Sequence, residues 1–172
     1  MVSAKPVVIL CGGKGTRLDS YTQKCVTPVA GRPFLHWKLD QLCDRGATYF
    51  YLLVAHKWFD VTKECGYSWR GRPIRYIRDP GEGVDTAILH ATKYLPFLHW
   101  ITYGDSILDV PLTHGLPHTW VNDEYPKDAG FMYRWGPIGG YRRHTDQPAV
   151  QINTPADMER ADENLRRHRA TR

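Results

Sequence analysis

Three glycines within four positions, two nearby cations and a distant aspartate are the residues of this 172-residue chain whose types and spacing suggest chemistry. Gly12, Gly13 and Gly15 follow an unbroken apolar run, Val7-Val8-Ile9-Leu10-Cys11, and Arg17 and Lys24 come shortly after. Such a run reads as a strand buried on both faces. Glycine admits positive φ and lets a ligand lie directly on the main chain. Successive N–H groups in a loop of this kind form a cradle for an anion. Arg17 and Lys24 add fixed positive charge, so the cluster describes a site for a polyphosphate. The loop is not G-x-x-x-x-G-K-[ST], because no Gly-Lys-Ser/Thr closes it, nor G-x-G-x-x-G, because Leu18 takes the last position. From glycine spacing alone, a plain strand-turn-helix connection stays open as the alternative.

The elements that must position these residues alternate. Pro33 to Arg45 reads as a helix with Leu35, Leu39 and Leu42 on one face, ended by Gly46. Tyr49 to Ala55 reads as a strand, Lys57 to Cys65 as a short helix, and Ile74 to Ile77 as a strand ending in the turn Asp79-Pro80-Gly81. Val84 to Tyr94 has Val84, Ala87, Ile88 and Ala91 at helical spacing before Pro96. Phe97 to Tyr103 is the next strand and delivers Gly104-Asp105. This alternation predicts an α/β fold, a mostly parallel sheet with helices on both faces. Ligands in such sheets bind at the carboxyl ends of the strands, where Gly12, Gly13 and Asp105 all fall. Thr113 to Lys127 reads as loop, Ala129 to Trp135 as a strand, Gly136-Pro137 and Gly139-Gly140 as turns, and Tyr141 to Ile152 as holding one more short strand. Thr154, Pro155 and Asp157 form the N-cap, first position and capping box of a last helix, with Met158, Ala161 and Leu165 as its apolar stripe. No repeat, linker or low-complexity segment interrupts the pattern.

Composition is that of one globular domain: 42% hydrophobic and 24% charged residues. No stretch reaches the roughly 20 apolar residues that span a bilayer. Met1 to Pro6 carries no signal-peptide pattern, so the expectation is a soluble cytoplasmic protein without a membrane partner. The net charge of +5 is concentrated late, in Arg166, Arg167, Arg169 and Arg172, as a helix C-terminus favours. A nucleic-acid partner is therefore not expected. Cys11, Cys25, Cys43 and Cys65 make no C-x-x-C pair. Cys11 and Cys43 sit in apolar segments, as small hydrophobes do. His114 and His118 are four apart, but Gly115 and Pro117 argue against the helix that would aim both at one metal.

Gly12-Gly13-Lys14-Gly15-Thr16-Arg17-Leu18, then Lys24, then Pro28-Val29-Ala30-Gly31-Arg32-Pro33-Phe34-Leu35, closely resembles the signature of the sugar-1-phosphate nucleotidyltransferases. Residues 28–35 are most similar to their heptose and hexose branch, the guanylyl-, uridylyl- and thymidylyltransferases. The resemblance implies a Rossmann-like three-layer sandwich of the nucleotide-diphospho-sugar transferase type. It implies a reaction in which a nucleoside triphosphate and a sugar 1-phosphate give a nucleotide-sugar and pyrophosphate, with Mg²⁺ as cofactor. Cys11, Gly12, Gly13, Gly15 and Thr16 would then lie along the nucleotide. Arg17 would hold the β- and γ-phosphates, and Lys24 would bridge the α-phosphate and the sugar phosphate. The family has Pro-Lys where this chain has Gln23-Lys24, and the stretch from Leu18 to Lys24 is short. Asp105, in Tyr103-Gly104-Asp105, matches the family's metal aspartate, with Asp109 as a lesser candidate and a turn aspartate as the alternative reading.

The second metal carboxylate of the family falls in Val150 to Asp157, where this chain offers Asn153. Asn153 would ligate through its carbonyl oxygen or simply flank the helix. Arg78 to Ala87 occupies the place of the base-reading loop, with Gly83 and Asp85 as its contacts. A carboxylate accepts both N1–H and N2–H of guanine, which leans the reading toward GTP; the alternative is that Asp85 caps a helix starting at Thr86. About fifty residues separate Asp105 from Thr154, so the acceptor region, about 110–150, is shortened. Tyr133, Arg134, Tyr141, Arg142 and Arg143 are candidates to line it. A phosphoalcohol or pterin acceptor, completion of the site by a second identical subunit, and a nucleotide-binding module without turnover stay open.

Overall fold

A computed structural model describes residues 4–18, 21–81, 83–113, 118–122, 131–135, 141–145, 147 and 149–170. Its centre is an eight-stranded sheet in which β1 (Pro6–Leu10) lies between β4 (Tyr49–Val54) and β7 (Leu98–Tyr103), parallel to both. Beyond β4 come β6 (Arg72–Arg78), also parallel, and the short β5 (Ser68–Trp69). Beyond β7 come β10 (Phe131–Trp135), antiparallel, then β9 (His118–Asn122) and β11 (Tyr141–Thr145). Two small ribbons, β2 (Pro28–Val29) with β3 (Arg32–Pro33) and β8 (Ser106–Leu108) with β12 (Ala149–Gln151), stand apart from it.

Period-two alternation assigns the sheet's two faces. Val7 and Ile9 of β1 and Phe50, Leu52 and Val54 of β4 pack with Leu35, Leu39 and Leu42 of α1 (Phe34–Asp44) and Val61 of α2 (Trp58–Cys65). Val8, Leu53, Ile77 and Ile101 point the other way, against Ala87, Ile88 and Ala91 of α3 (Val84–Ala91). Helices therefore cover both faces, and the protein is a mixed α/β, Rossmann-like three-layer fold with a mostly parallel central sheet. Val7, Val8 and Ile9 of β1 and Leu52, Leu53 and Val54 of β4 are fully buried, so each contributes about 1.5–3 kcal/mol from area removed from water. A third cluster joins Phe34 and Val29 to Ile107, Ile152 and the Ala161–Leu165 stripe of α4 (Pro155–Ala170).

The chain runs outward from β1 through β4 to β6 and then returns to β7 on the other side of β1. The strand order reverses beside β1, which is where open α/β sheets leave a crevice at their carboxyl ends. The register aligns those ends, pairing Leu10 with Tyr103 and Leu53, and Val54 with Arg78.

Several expectations are corrected. Residues 118–122 form β9 rather than loop, because pairing with β10 and β11 supplies hydrogen bonds that composition does not reveal. Residues 141–152 hold two strands, β11 and β12. α3 starts at Val84 with Gly83 in the cap position, so Asp85 lies inside its first turn and does not cap it. His118 opens β9, while His114 and the expected turns at 136–137 and 139–140 lie outside the described residues. Among the described residues no helix is long and apolar enough to cross a membrane.

Candidate active site

β1 ends at Leu10, and Cys11 donates its N–H to Leu53 O at 2.8 Å, which steers the next residues across the sheet end. A cleft of about 720 Å³ opens there, within the range of small-molecule sites. Cys11, Gly12, Gly13, Lys14 and Arg17 form one wall. Tyr103 and Asp105 come from the end of β7, and Arg78, Asp79, Pro80 and Gly81 from the end of β6. Gly83, Val84 and Ala87 close it at the start of α3, and Lys24 and Asn153 lie at its inner end.

Gly15 carries φ +64°, the left-handed region, and a Cβ there would stand 3.0 Å from Lys24 Cβ. The loop therefore turns back tightly enough to touch the lysine, which only glycine permits without strain. Gly12 is a case of close approach, because a Cβ on it would collide with the Asp79 carboxylate.

The turn of 3₁₀ helix over Lys24–Val26 sends Lys24 inward, where its side chain is 12% exposed. Its Nζ donates to Asp105 Oδ2 at 2.5 Å and to Asn153 Oδ1. Asn153 reaches this point because β12 pairs with β8, setting Gln151 opposite Ser106, and because Ile152 N donates to Asp105 O at 3.1 Å. Asn153 Nδ2 in turn donates to Gln151 Oε1 at 2.8 Å, which orients its carbonyl oxygen toward Lys24. Residues 24, 105 and 153 thus meet at one end of the cleft.

Arg17 lies on the exposed turn at the cleft's rim. Gly15 and Thr16 shape the loop but do not line the cleft. Asp85 does not line it either: it is exposed, and the neighbouring Gly83, Val84 and Ala87 face the opening instead. Asp109 is corrected as a metal candidate, since it pairs with Arg45 at 2.5 Å and accepts from Gln41 Nε2 at 3.2 Å, outside the cleft. Tyr133 and Arg134 fall on β10 and Tyr141 to Arg143 on β11. Arg143 stacks over Trp120, and the other four side chains lie outside those described.

Three site residues escaped the sequence reading. Asp79, part of the expected turn after β6, also lines the cleft, with Oδ1 accepting Gly81 N at 2.5 Å. Gln23, which stands where the family has Pro, is buried against the glycine loop and belongs to the cleft's lining. Lys38, within the helix expected over Pro33 to Arg45, is 1% exposed and donates to Ser106 O at 2.5 Å, next in sequence to Asp105. Burial pulls its amine down from 10.5 to about 7, opposed by the attraction of Asp105. The signal available was its position between Leu35, Leu39 and Leu42, on the helix face that packs inward.

Asp105 and Asn153 offer two oxygens converging on one ammonium. Among the described residues no group of three or more His, Cys, Asp or Glu side chains is gathered as a metal cage. One carboxylate and one amide oxygen at the inner end of an open cleft match a hard cation that takes its remaining ligands from phosphates and water.

The chain is 29% identical over 110 residues to D-glycero-α-D-manno-heptose 1-phosphate guanylyltransferase of Campylobacter jejuni, covering 62% of this chain and 50% of that one. It is 31% identical over 109 residues to the UTP–glucose-1-phosphate uridylyltransferase AglF of Haloferax volcanii, covering 61% and 45%. The chain spans about half the length of these two relatives. In fold it is similar to HddC from Yersinia pseudotuberculosis complexed with GMP-PN, with TM-score 0.71 and 18% identity over 94% of this chain and 99% of that one. Residues 7–131 match the MobA-like NTP transferase domain, the stretch that carries the glycine loop, Lys24, Asp79 and Asp105. The chain belongs to the MobA-like NTP transferase domain family.

Proposed function

We propose that this chain transfers a nucleotidyl group from a nucleoside triphosphate to a sugar 1-phosphate, releasing pyrophosphate. The observation that carries the reading is Lys24, an ammonium held between Asp105 and Asn153 at the inner end of a cleft walled by a glycine loop. The incoming nucleophile is already an anionic phosphate oxygen, so no protein base is needed. Positioning and charge neutralisation remain as the work of the site. An oxygen of the sugar phosphate attacks the α-phosphorus, and the bond from that phosphorus to the β-phosphate oxygen breaks, with the electron pair leaving on pyrophosphate. Arg17 at the rim offers a planar fork to the departing phosphates. Lys24 would exchange its present oxygens for those of the two reacting phosphates and draw them together. Mg²⁺ would be held by Asp105, with Asn153 as its weaker partner, and when bound would neutralise phosphate charge.

GTP is the preferred nucleotide on this reading, with Asp79 rather than Asp85 as the base-facing carboxylate. It stands against Gly12 and is fixed by Gly81 N, so it offers a placed acceptor to a base edge with two N–H donors. The guanylyltransferase relative agrees with that leaning and the uridylyltransferase relative does not, so the base is decided by experiment. The same proposal takes the chain as one domain in a cytoplasmic setting, with a pared-down acceptor region around 110–150.

The test is pyrophosphate release with Mg²⁺, each of ATP, GTP, CTP, UTP and dTTP, and a panel of sugar 1-phosphates, repeated with EDTA. Release that needs GTP, one sugar phosphate and the metal is the expected result. Asn153, in the place of an acid, favours a second reading as a nucleotide-binding module. Nucleotide-dependent thermal stabilisation without release from any acceptor, phosphoalcohols and pterins included, would select that reading.

A further inference from the structure

Gln23 is 2% exposed, and its amide is wholly engaged. Its Nε2 donates to Cys11 O at 2.5 Å and to Gly13 O at 3.1 Å, and its Oε1 accepts from Cys25 N at 2.6 Å. Its own N–H donates to Asp60 Oδ2 at 2.9 Å, which ties the turn to α2. One side chain therefore joins the glycine loop on one side to the turn carrying Lys24 on the other.

The two carbonyls it holds alternate along the loop. In a trans peptide the C=O of one residue and the N–H of the next point in opposite directions. With Cys11 O and Gly13 O drawn to Gln23, the amides of Gly12 and Lys14 are turned away from it, over the surface where Gly12, Gly13 and Lys14 line the cleft. Alternate carbonyls pinned behind and alternate amides presented in front make an anion cradle out of an otherwise pliant glycine loop. Because both amide hydrogens and the carbonyl oxygen of Gln23 are engaged within the protein, it acts through the loop and not on substrate.

We infer that Gln23 is a positioning residue that presets the glycine loop for a nucleoside triphosphate and locks it to Lys24. The inference rests on the nucleotidyltransferase reading for its ligand, but the clamp itself is a property of the free protein. Two near-isosteric variants test it. Gln23→Met keeps the length of the side chain and removes all three hydrogen bonds. Gln23→Glu keeps the acceptor for Cys25 N and sets a carboxylate oxygen against the two carbonyls.

Two readouts are taken: MgGTP affinity by calorimetry, and backbone NMR order parameters of residues 11–15 without ligand. The expected result is affinity lower by about 10- to 100-fold, the scale of one charge-assisted hydrogen bond. The order parameters of 11–15 should fall while thermal unfolding stays cooperative, and the KM for the sugar phosphate should move far less than that for nucleotide. If one variant does not fold, the other carries the test. Wild-type affinity in a folded variant, or unchanged order parameters across 11–15, overturns the inference. If the wild-type protein binds none of the five triphosphates, the nucleotidyltransferase reading fails, and the order parameters alone then decide whether Gln23 is a clamp.

Discussion

Lys24 donates to two oxygens brought from sequence positions 81 and 129 residues away, and that convergence makes it the residue on which the proposed chemistry turns. Replacing Lys24 with Ala should lower kcat by about 10²–10³-fold, the usual loss when one placed electrostatic donor is removed. Nucleotide affinity should change little, since the glycine loop and Arg17 remain; a Kd that collapses with kcat would assign Lys24 to binding instead. Lys38 gives a different prediction. Its amine titrates at about 7 when folded and near 10.5 when unfolded. Between those values the unfolded chain holds a proton that the folded chain has released, so stability from this group rises with pH across that window. Lys38→Met removes the penalty of burying a charge, on the order of several kcal/mol. In urea denaturation its advantage over wild type should be largest at or below pH 7 and shrink toward pH 10. Parallel stability curves for the two proteins would show that Lys38 is not held in this way.

Among the elements, α4 is the one whose start the sequence spells out. Thr154 Oγ1 accepts Asp157 N at 3.2 Å, and Asp157 Oδ2 accepts Thr154 N at 2.9 Å, a reciprocal cap. Thr154→Ala should cost about 1 kcal/mol in denaturant unfolding. Because the cap adjoins Asn153, it should also reduce turnover more than an exposed α4 substitution of equal cost, such as one at Glu163. Equal effects on turnover would separate the cap from the site. α1 was legible from Leu35, Leu39 and Leu42, and β1 and β4 from their apolar runs, because burial imposes those patterns directly. β9 was not legible: a His-Thr-Trp-Val-Asn stretch becomes a strand through partners on both sides, which are non-local. The start of α3 is hidden by the same limit, since it depends on Gly83 at φ +118°, a conformation that favours glycine, and not on a capping side chain, which leaves Asp85 inside the first turn.

In the molecule as a whole, the reversal of strand order beside β1 creates the cleft, and the buried sheet holds its edges in register. Leu52, fully buried on the face shared with α1 and α2, reports on that frame. Leu52→Ala should destabilise the protein by about 2–5 kcal/mol. The denaturation midpoint should fall with an unchanged m-value, and a shift under about 1 kcal/mol would mean that the site collapses around the cavity. The sequence by itself determined the local parts: the glycine loop, the cations at 17 and 24, the aspartate after β7, the α/β alternation and the cap of α4. Each follows from backbone sterics, side-chain charge or burial periodicity acting within a few residues. The tertiary structure alone decided that Asn153 meets Asp105, that Asp79 faces Gly12, that Gln23 clamps the loop, and that Asp85 and Asp109 stand outside the cleft. Those outcomes depend on strand order and register, which are set by contacts between residues far apart in the chain and leave no periodic trace along it.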